Sequence, residues 1–174
     1  MSKIALIGAG NFGFALTAYL DRINKGEHKI FLYDHRAETV DYIRQHRTHP
    51  KYYPVTKLSS DVILTNDLNE LLGGAEILIL AMVSTALEEV LDKIKPLITQ
   101  PLKIVSVMKA LDDDTGKTLT QITEDRLAGL PITPFVLVGG TTGKELVQEQ
   151  YLGMNMAGKN LSAAQQLAPI FARD

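Results

Sequence analysis

The sequence contains no cysteine and no tryptophan. Without a thiol there is no disulfide, no cysteine nucleophile and no cysteine-ligated zinc, and the chain is expected to work in an intracellular, cytoplasmic setting. Positive charge is not in excess either: 18 Lys and Arg stand against 20 Asp and Glu, a formal net charge of −2. Binding along a phosphate backbone or an anionic bilayer needs clustered cations, so neither nucleic acid nor membrane is an expected partner. Long apolar runs are missing as well. The longest, Ile77 to Val83, is far short of the ~20 residues that span a bilayer, and the apolar N-terminal stretch is broken by glycines too early for a signal peptide. All 4 histidines fall between positions 28 and 49 and none flanks a nucleophile turn, which leaves no Ser-His-Asp set.

What the chain does have is 174 residues with 45% apolar content, enough for the core of one domain. Its most informative segment is the run Lys3 to Ile7, which breaks into Gly8-Ala9-Gly10-Asn11-Phe12-Gly13 and then a helical pattern with Phe12, Ala15, Leu16, Tyr19, Leu20 and Ile23 on one face. A strand turning sharply into a helix needs Gly8 for the turn, Gly10 for close backbone approach to a pyrophosphate, and Gly13 for strand–helix packing. The free N–H groups and dipole at the helix start then favour an anion without any basic side chain. An acidic residue roughly 20 positions further on, at the end of a second strand, completes the pattern by accepting from a ribose. Asp34, after Ile30 to Tyr33, fits. Residues 3–34 therefore read as a β-α-β dinucleotide-binding unit. NAD is the expected cofactor because the Asp34 carboxylate repels a 2′-phosphate; NADP is the alternative, since His35 and Arg36 stand beside it.

Strand and helix signals alternate along the rest of the chain. A short helix is expected over Ala37 to about His46, a turn at Lys25–His28, a surface loop through Lys51-Tyr52-Tyr53-Pro54, and a strand at Val62–Leu64. Asp67 caps a short helix ending at Gly73-Gly74, and Glu76 to Met82 reads as a central strand covered on both faces. A helix from Ser84 or Thr85, stopped by Pro96, buries Leu87, Val90, Leu91 and Ile94. Lys103–Val107 and Phe135–Val138 are further strands, with a helix from Thr115 to about Ala128 between them. Met154–Met156 is a short last strand, and Ser162 caps a helix to Phe171. The whole is an α/β fold, a doubly wound and mainly parallel sheet of the Rossmann type, with ligands at the carboxyl ends of its strands.

These segments together resemble the N-terminal half of NAD(P)-dependent glycerol-3-phosphate dehydrogenase. The resemblance rests on Lys3 to Gly13, the Lys51–Pro54 loop, Ala81-Met82-Val83-Ser84, Val107-Met108-Lys109-Ala110, and Val138 to Glu145. Asn11 and Phe12 within the glycine turn are its most specific marks. The resemblance implies that Val83 and Ser84 lie against the cofactor, that Gly143 belongs to the cofactor-binding set, and that Lys109 is a catalytic, substrate-side lysine. It also implies a phosphorylated small-molecule substrate, dihydroxyacetone phosphate or sn-glycerol 3-phosphate. The turns depart from the family at Met82, at Met108 and Ala110, and above all at Gly139–Glu145, where only Gly139 and Glu145 keep a Gly-Pro-Ser-Phe-Ala-x-Glu pattern. The chain ends about where the family's helical substrate domain begins, so residues 1–174 are expected to form the dinucleotide-binding domain alone. A homo-oligomer or a separately supplied helical half is the expected partner, and the alternatives are a non-catalytic dinucleotide-binding module or a reductase of another small keto acid.

Other motifs point to structure. Gly140–Lys144 lacks the first glycine of a P-loop and places Glu145 where a Ser or Thr must follow the lysine. Asp112, Asp113 and Asp114 are expected as anions before a helix start rather than as a metal site. His46 and His49 are expected at the surface, and no metal is expected.

Overall fold

The computed structural model describes residues 2–24, 26–150 and 153–172. Strand and helix alternate as β1 (Lys3–Ile7), α1 (Asn11–Asn24), β2 (Lys29–Tyr33), α2 (Ala37–His46), β3 (Ile63–Thr65), α3 (Leu68–Leu72), β4 (Ile77–Leu80), α4 (Leu87–Ile94), β5 (Leu102–Ser106), α5 (Leu119–Arg126), β6 (Ile132–Gly139), α6 (Gly143–Val147), β7 (Met154–Ala157) and α7 (Leu161–Leu167). The strands form one sheet in the order β3-β2-β1-β4-β5-β6-β7. Every pairing is parallel except β6 with β7. The chain first winds outward from β1 to β3, then crosses back to lay β4 on the free side of β1, with Ala5 opposite both Phe31 and Leu78. The carboxyl ends of β1 and β4 thus flank the point where the winding reverses, which is where such sheets hold ligands.

Successive strand residues face opposite layers, and both layers here are apolar. Ile4, Leu6, Leu32, Ile79, Val105 and Phe135 join Phe14, Leu16 and Leu20 of α1 and Leu146 and Leu167 beyond β6. Ala5, Ile7, Leu78, Leu80 and Ile104 join Leu71, Leu91, Ile94 and Ile122 on the other side. In β4 all residues are buried, as the continuous apolar run requires of a central strand.

Several boundaries differ from the sequence expectation. The expected strand over Glu76–Met82 pairs only as Ile77–Leu80, and a single 3-10 turn at Ser84–Ala86 precedes α4. Helix α5 begins at Leu119, not Thr115, because Thr118 and Gln121 form a reciprocal capping box. The aspartates upstream are therefore not at its N-terminus. Asp112 instead closes its own turn, its carboxylate accepting from the N–H and hydroxyl of Thr115. Helix α7 is capped by Asn160, which accepts from Ala163 N–H, rather than by Ser162, and ends at Leu167 before a 3-10 turn that reaches Phe171. At the expected Lys25–His28 turn, Asn24 brackets His28 through both its N–H and its carbonyl; Lys25 lies outside the described residues.

Candidate functional site

Each glycine of the first turn does separate work. Gly8 has φ +108°, and a Cβ there would sit 2.6 Å from the carbonyl oxygen of Ala81. Only glycine allows this backbone and this approach of the turn after β1 to the turn after β4. A Cβ on Gly13 would overlap the carbonyl of Gly8 and lie 3.2 Å from Ala81 Cβ, so Gly13 lets α1 leave close to β1 and β4. At Gly10 an added Cβ would meet nothing within 4 Å. The first intrahelical bond of α1 runs from Phe14 N–H to Gly10 C=O, which leaves the N–H groups of Asn11, Phe12 and Gly13 without an i−4 acceptor. Open space beside glycine and aligned N–H groups at the start of a 14-residue helix form a cradle suited to a pyrophosphate.

Asp34 lies at the end of β2, where the sequence places it, and is 3% exposed. One carboxylate oxygen accepts from Ala9 N–H (3.0 Å) and Arg36 Nη2 (3.1 Å), the other from Arg36 N–H (3.0 Å) and Arg36 Nε (2.8 Å). Burial alone pushes this carboxyl up, but the bonds and charge of Arg36 together with Ala9 N–H hold it below its ordinary value. The carboxylate is thus committed to the glycine turn and to Arg36, while Arg36 remains 45% exposed and His35 78% exposed on the rim.

On the β4 side, Val83 is exposed and Ser84 half-buried at the start of the 3-10 turn. Lys109 is exposed on the segment after β5. Glu145 of α6 is held below its ordinary value first by hydrogen bonds from Thr142 N–H and hydroxyl, and further by the charge of Lys109. The Lys109 and Gly139–Glu145 turns therefore share one electrostatic neighbourhood. In that second turn Thr141 is buried and its hydroxyl finds no partner among the described residues. Gly143 packs onto α1: a Cβ there would collide with the Tyr53 hydroxyl and lie 2.7 Å from Asn11 Oδ1.

The loop between α2 and β3 does more than the sequence indicates. His49, expected at the surface, is buried, edge-on to Phe14 at 5.6 Å, and its Nδ1 accepts from Lys51 and Tyr52 N–H. Its Nε2 is enclosed beside the Ala9 backbone without a well-formed hydrogen bond. Burial first, then the charge of Arg36, holds His49 below its ordinary value, which disfavours the protonated ring. Tyr53 stacks on Phe14 at 5.9 Å, and its hydroxyl donates to Asn11 Oδ1. His46 remains exposed, stacked on Tyr42. No cluster of three metal-ligating side chains occurs among the described residues, nor any helix long and apolar enough to cross a membrane. The glycine turn, Asp34, Val83, Ser84, Lys109 and Gly143 all gather at the carboxyl edge of the sheet. Sequence reasoning singled out the segments that hold Tyr53 and Thr141 but gave neither residue a role, and it placed His49 at the surface; the burial of His49 and Thr141 and the half-burial of Tyr53 depend on tertiary packing.

A sequence profile described as NAD-dependent glycerol-3-phosphate dehydrogenase N-terminus matches residues 3–164. Among relatives, glycerol-3-phosphate dehydrogenase [NAD(P)+] of Geobacillus thermodenitrificans is 32% identical over 171 residues, covering 98% of this chain and 49% of the relative. The Bacillus velezensis enzyme of the same description is 32% identical over 172 residues, with the same coverage. The glycerol-3-phosphate dehydrogenase structure from Coxiella burnetii shares the fold with a TM-score of 0.90 at 24% identity, covering 99% of this chain and 51% of that one. The chain spans about half the length of the relatives it matches. It belongs to the NAD-dependent glycerol-3-phosphate dehydrogenase family and corresponds to that family's N-terminal, NAD-binding domain.

Proposed function

We propose that this chain supplies the cofactor-binding half of an oxidoreductase that passes a hydride between NAD(P)H and dihydroxyacetone phosphate, giving sn-glycerol 3-phosphate. The observation that carries the reading is the contrast among the three glycines: Gly8 and Gly13 are packed against backbone, whereas the space beside Gly10 is open where N–H groups of α1 lack acceptors. When bound, the nicotinamide supplies or accepts the hydride, and the protein's part is to hold and orient. Asn11 and the first N–H groups of α1 bind the pyrophosphate, while Val83 and Ser84 line the cofactor's other side. Lys109 presents a cation to the ketone oxygen or phosphate of the substrate. Positioning a substrate against a cofactor is worth several orders of magnitude in rate, and one lysine on an open edge provides little of it. A helical half, on another chain or as further sequence, is the partner this reading calls for, and a cytoplasmic location belongs to it.

A second reading, a dinucleotide-binding module without turnover, is favoured by one observation: the Gly139–Glu145 turn departs from the family pattern, and Gly143 is filled by Tyr53 and Asn11 instead of facing open space. Calorimetric titration with NADH and NADPH, paired with a turnover assay on dihydroxyacetone phosphate, separates the readings. Cofactor binding with little turnover by the chain alone is the expected result, with turnover restored on adding a helical half. Absence of any cofactor binding refutes the proposal, and substantial turnover by the chain alone that Lys109→Ala abolishes shows that no second half is needed.

A further inference from the structure

Three segments far apart in sequence meet at one side chain. Asn11 is the first residue of α1, Tyr53 belongs to the loop between α2 and β3, and Gly143 opens α6. The Tyr53 ring is fixed in place, nearly parallel to Phe14 at an interplanar angle of 12°, with His49 set edge-on to the same ring. From that position its hydroxyl donates to Asn11 Oδ1. The contact exists only because residue 143 has no side chain: a Cβ there would collide with the Tyr53 hydroxyl, sit 2.7 Å from Asn11 Oδ1 and press on Ala15 Cβ at 3.2 Å. Asn11 is otherwise exposed, beside the open space at Gly10.

A carboxamide has one accepting end and one donating end. With Oδ1 engaged by the phenol, the Nδ2 hydrogens remain as donors at the start of α1, where the helix dipole already favours an anion. We propose that Tyr53 is a positioning residue for cofactor binding: it fixes the Asn11 carboxamide so that Nδ2 donates to the dinucleotide pyrophosphate, and Gly143 is the residue that leaves room for it. The inference rests on the cofactor reading above and deepens it. The clasp also packs against the Gly139–Glu145 turn through Gly143.

The test is a thermodynamic cycle on the 174-residue chain, reading the NADH dissociation constant by calorimetry and Tm by circular dichroism for wild type, Tyr53→Phe, Asn11→Ala and the double variant. Loss of one hydrogen bond to a group that itself binds the ligand is expected to weaken NADH binding about five- to tenfold in Tyr53→Phe, with little change in Tm. In the Asn11→Ala background the same substitution is expected to change binding no further. Gly143→Ala is expected to lower Tm in wild type and to be better tolerated with Tyr53→Phe, since removing the hydroxyl relieves the closest of the three contacts the new methyl makes. A purely structural role for Tyr53 would instead lower Tm and weaken binding equally in both Asn11 backgrounds, which overturns the inference. Wild-type binding with Tyr53→Phe unaltered overturns it while leaving the cofactor reading intact; a wild type that binds neither NADH nor NADPH overturns both.

Discussion

Substituting Gly10 and Gly13 separately should divide folding from binding. At Gly13 the added methyl overlaps the Gly8 carbonyl and presses on Ala81 Cβ, and neither a backbone carbonyl nor a Cβ can rotate away. Overpacking of this kind costs roughly 1–3 kcal/mol or more, against about 1 kcal/mol regained from the better helix propensity of alanine. At the upper end of that cost, the net loss of about 2 kcal/mol corresponds to a Tm decrease of about 4–8 °C for a domain of this size. At Gly10 nothing lies within 4 Å and the backbone is not in the left-handed region, so Gly10→Ala should leave Tm unchanged or raise it slightly through the unfolded state. Its penalty appears with the ligand. A methyl standing between the helix start and a pyrophosphate disrupts charge-assisted hydrogen bonds worth about 1.5–3 kcal/mol each, so losing roughly two of them weakens NADH binding by about a hundredfold or more. Gly10→Val should abolish binding with the sheet intact. Thermal melts and calorimetric titrations of the variants check both halves. Unchanged NADH affinity in Gly10→Val, or a melting loss in Gly10→Ala matching that of Gly13→Ala, would refute the division.

Arg36, half exposed beside a carboxylate it already neutralises, is expected to favour the 2′-phosphate: Arg36→Ala should weaken NADPH binding about tenfold more than NADH binding, and equal losses in paired titrations would count against this. His49 governs a pH effect whose sign follows from its lowered pKa. The unfolded chain takes up the proton first as pH falls below about 6.5, so the stability due to the neutral ring is complete above that value and is lost as pH falls toward the lower folded pKa. Melts from pH 5 to 7.5 should show a slope that His49→Asn reduces, although the Arg36, Lys51 and Asp34 charges around the ring set its size; an unchanged slope would contradict the assignment.

The unit from β1 to β2 was legible in the sequence because its determinants are local. Glycines punctuate the turn, apolar spacing marks α1, and Asp34 follows the last strand residue. What Asp34 does was not legible, since its bond to Ala9 N–H and the reach of Arg36 depend on how two turns lie against each other. The same limit explains His49 and Tyr53, whose burial is created by Phe14, more than thirty positions upstream. The misplaced start of α5 is a different error. Asp112 to Asp114 resemble an acidic helix start, but Thr118 and Gln121 held a capping box that the sequence displayed, and reciprocal hydrogen bonds to two N–H groups outweigh a dipole interaction. Asn160 and Ser162 are both good caps, and only the path of the chain after β7 chooses between them.

The crossover that brings β4 back beside β1 has a consequence for the chain as it emerges from a ribosome. Strand β1 finds β2 within thirty residues, but its other edge waits for Ile77 to Leu80. At about 5–20 residues per second, the interval is a few seconds, about 2–10. During it, the β1–β2 pair, joined only late by β3, presents an unpaired apolar β1 edge, the kind of edge that recruits a neighbouring strand. Until β4 arrives, the β1 edge beside the glycine turn stays open to such pairing. Slower translation through residues 40–76 should therefore reduce soluble yield even though every residue of the finished protein is unchanged.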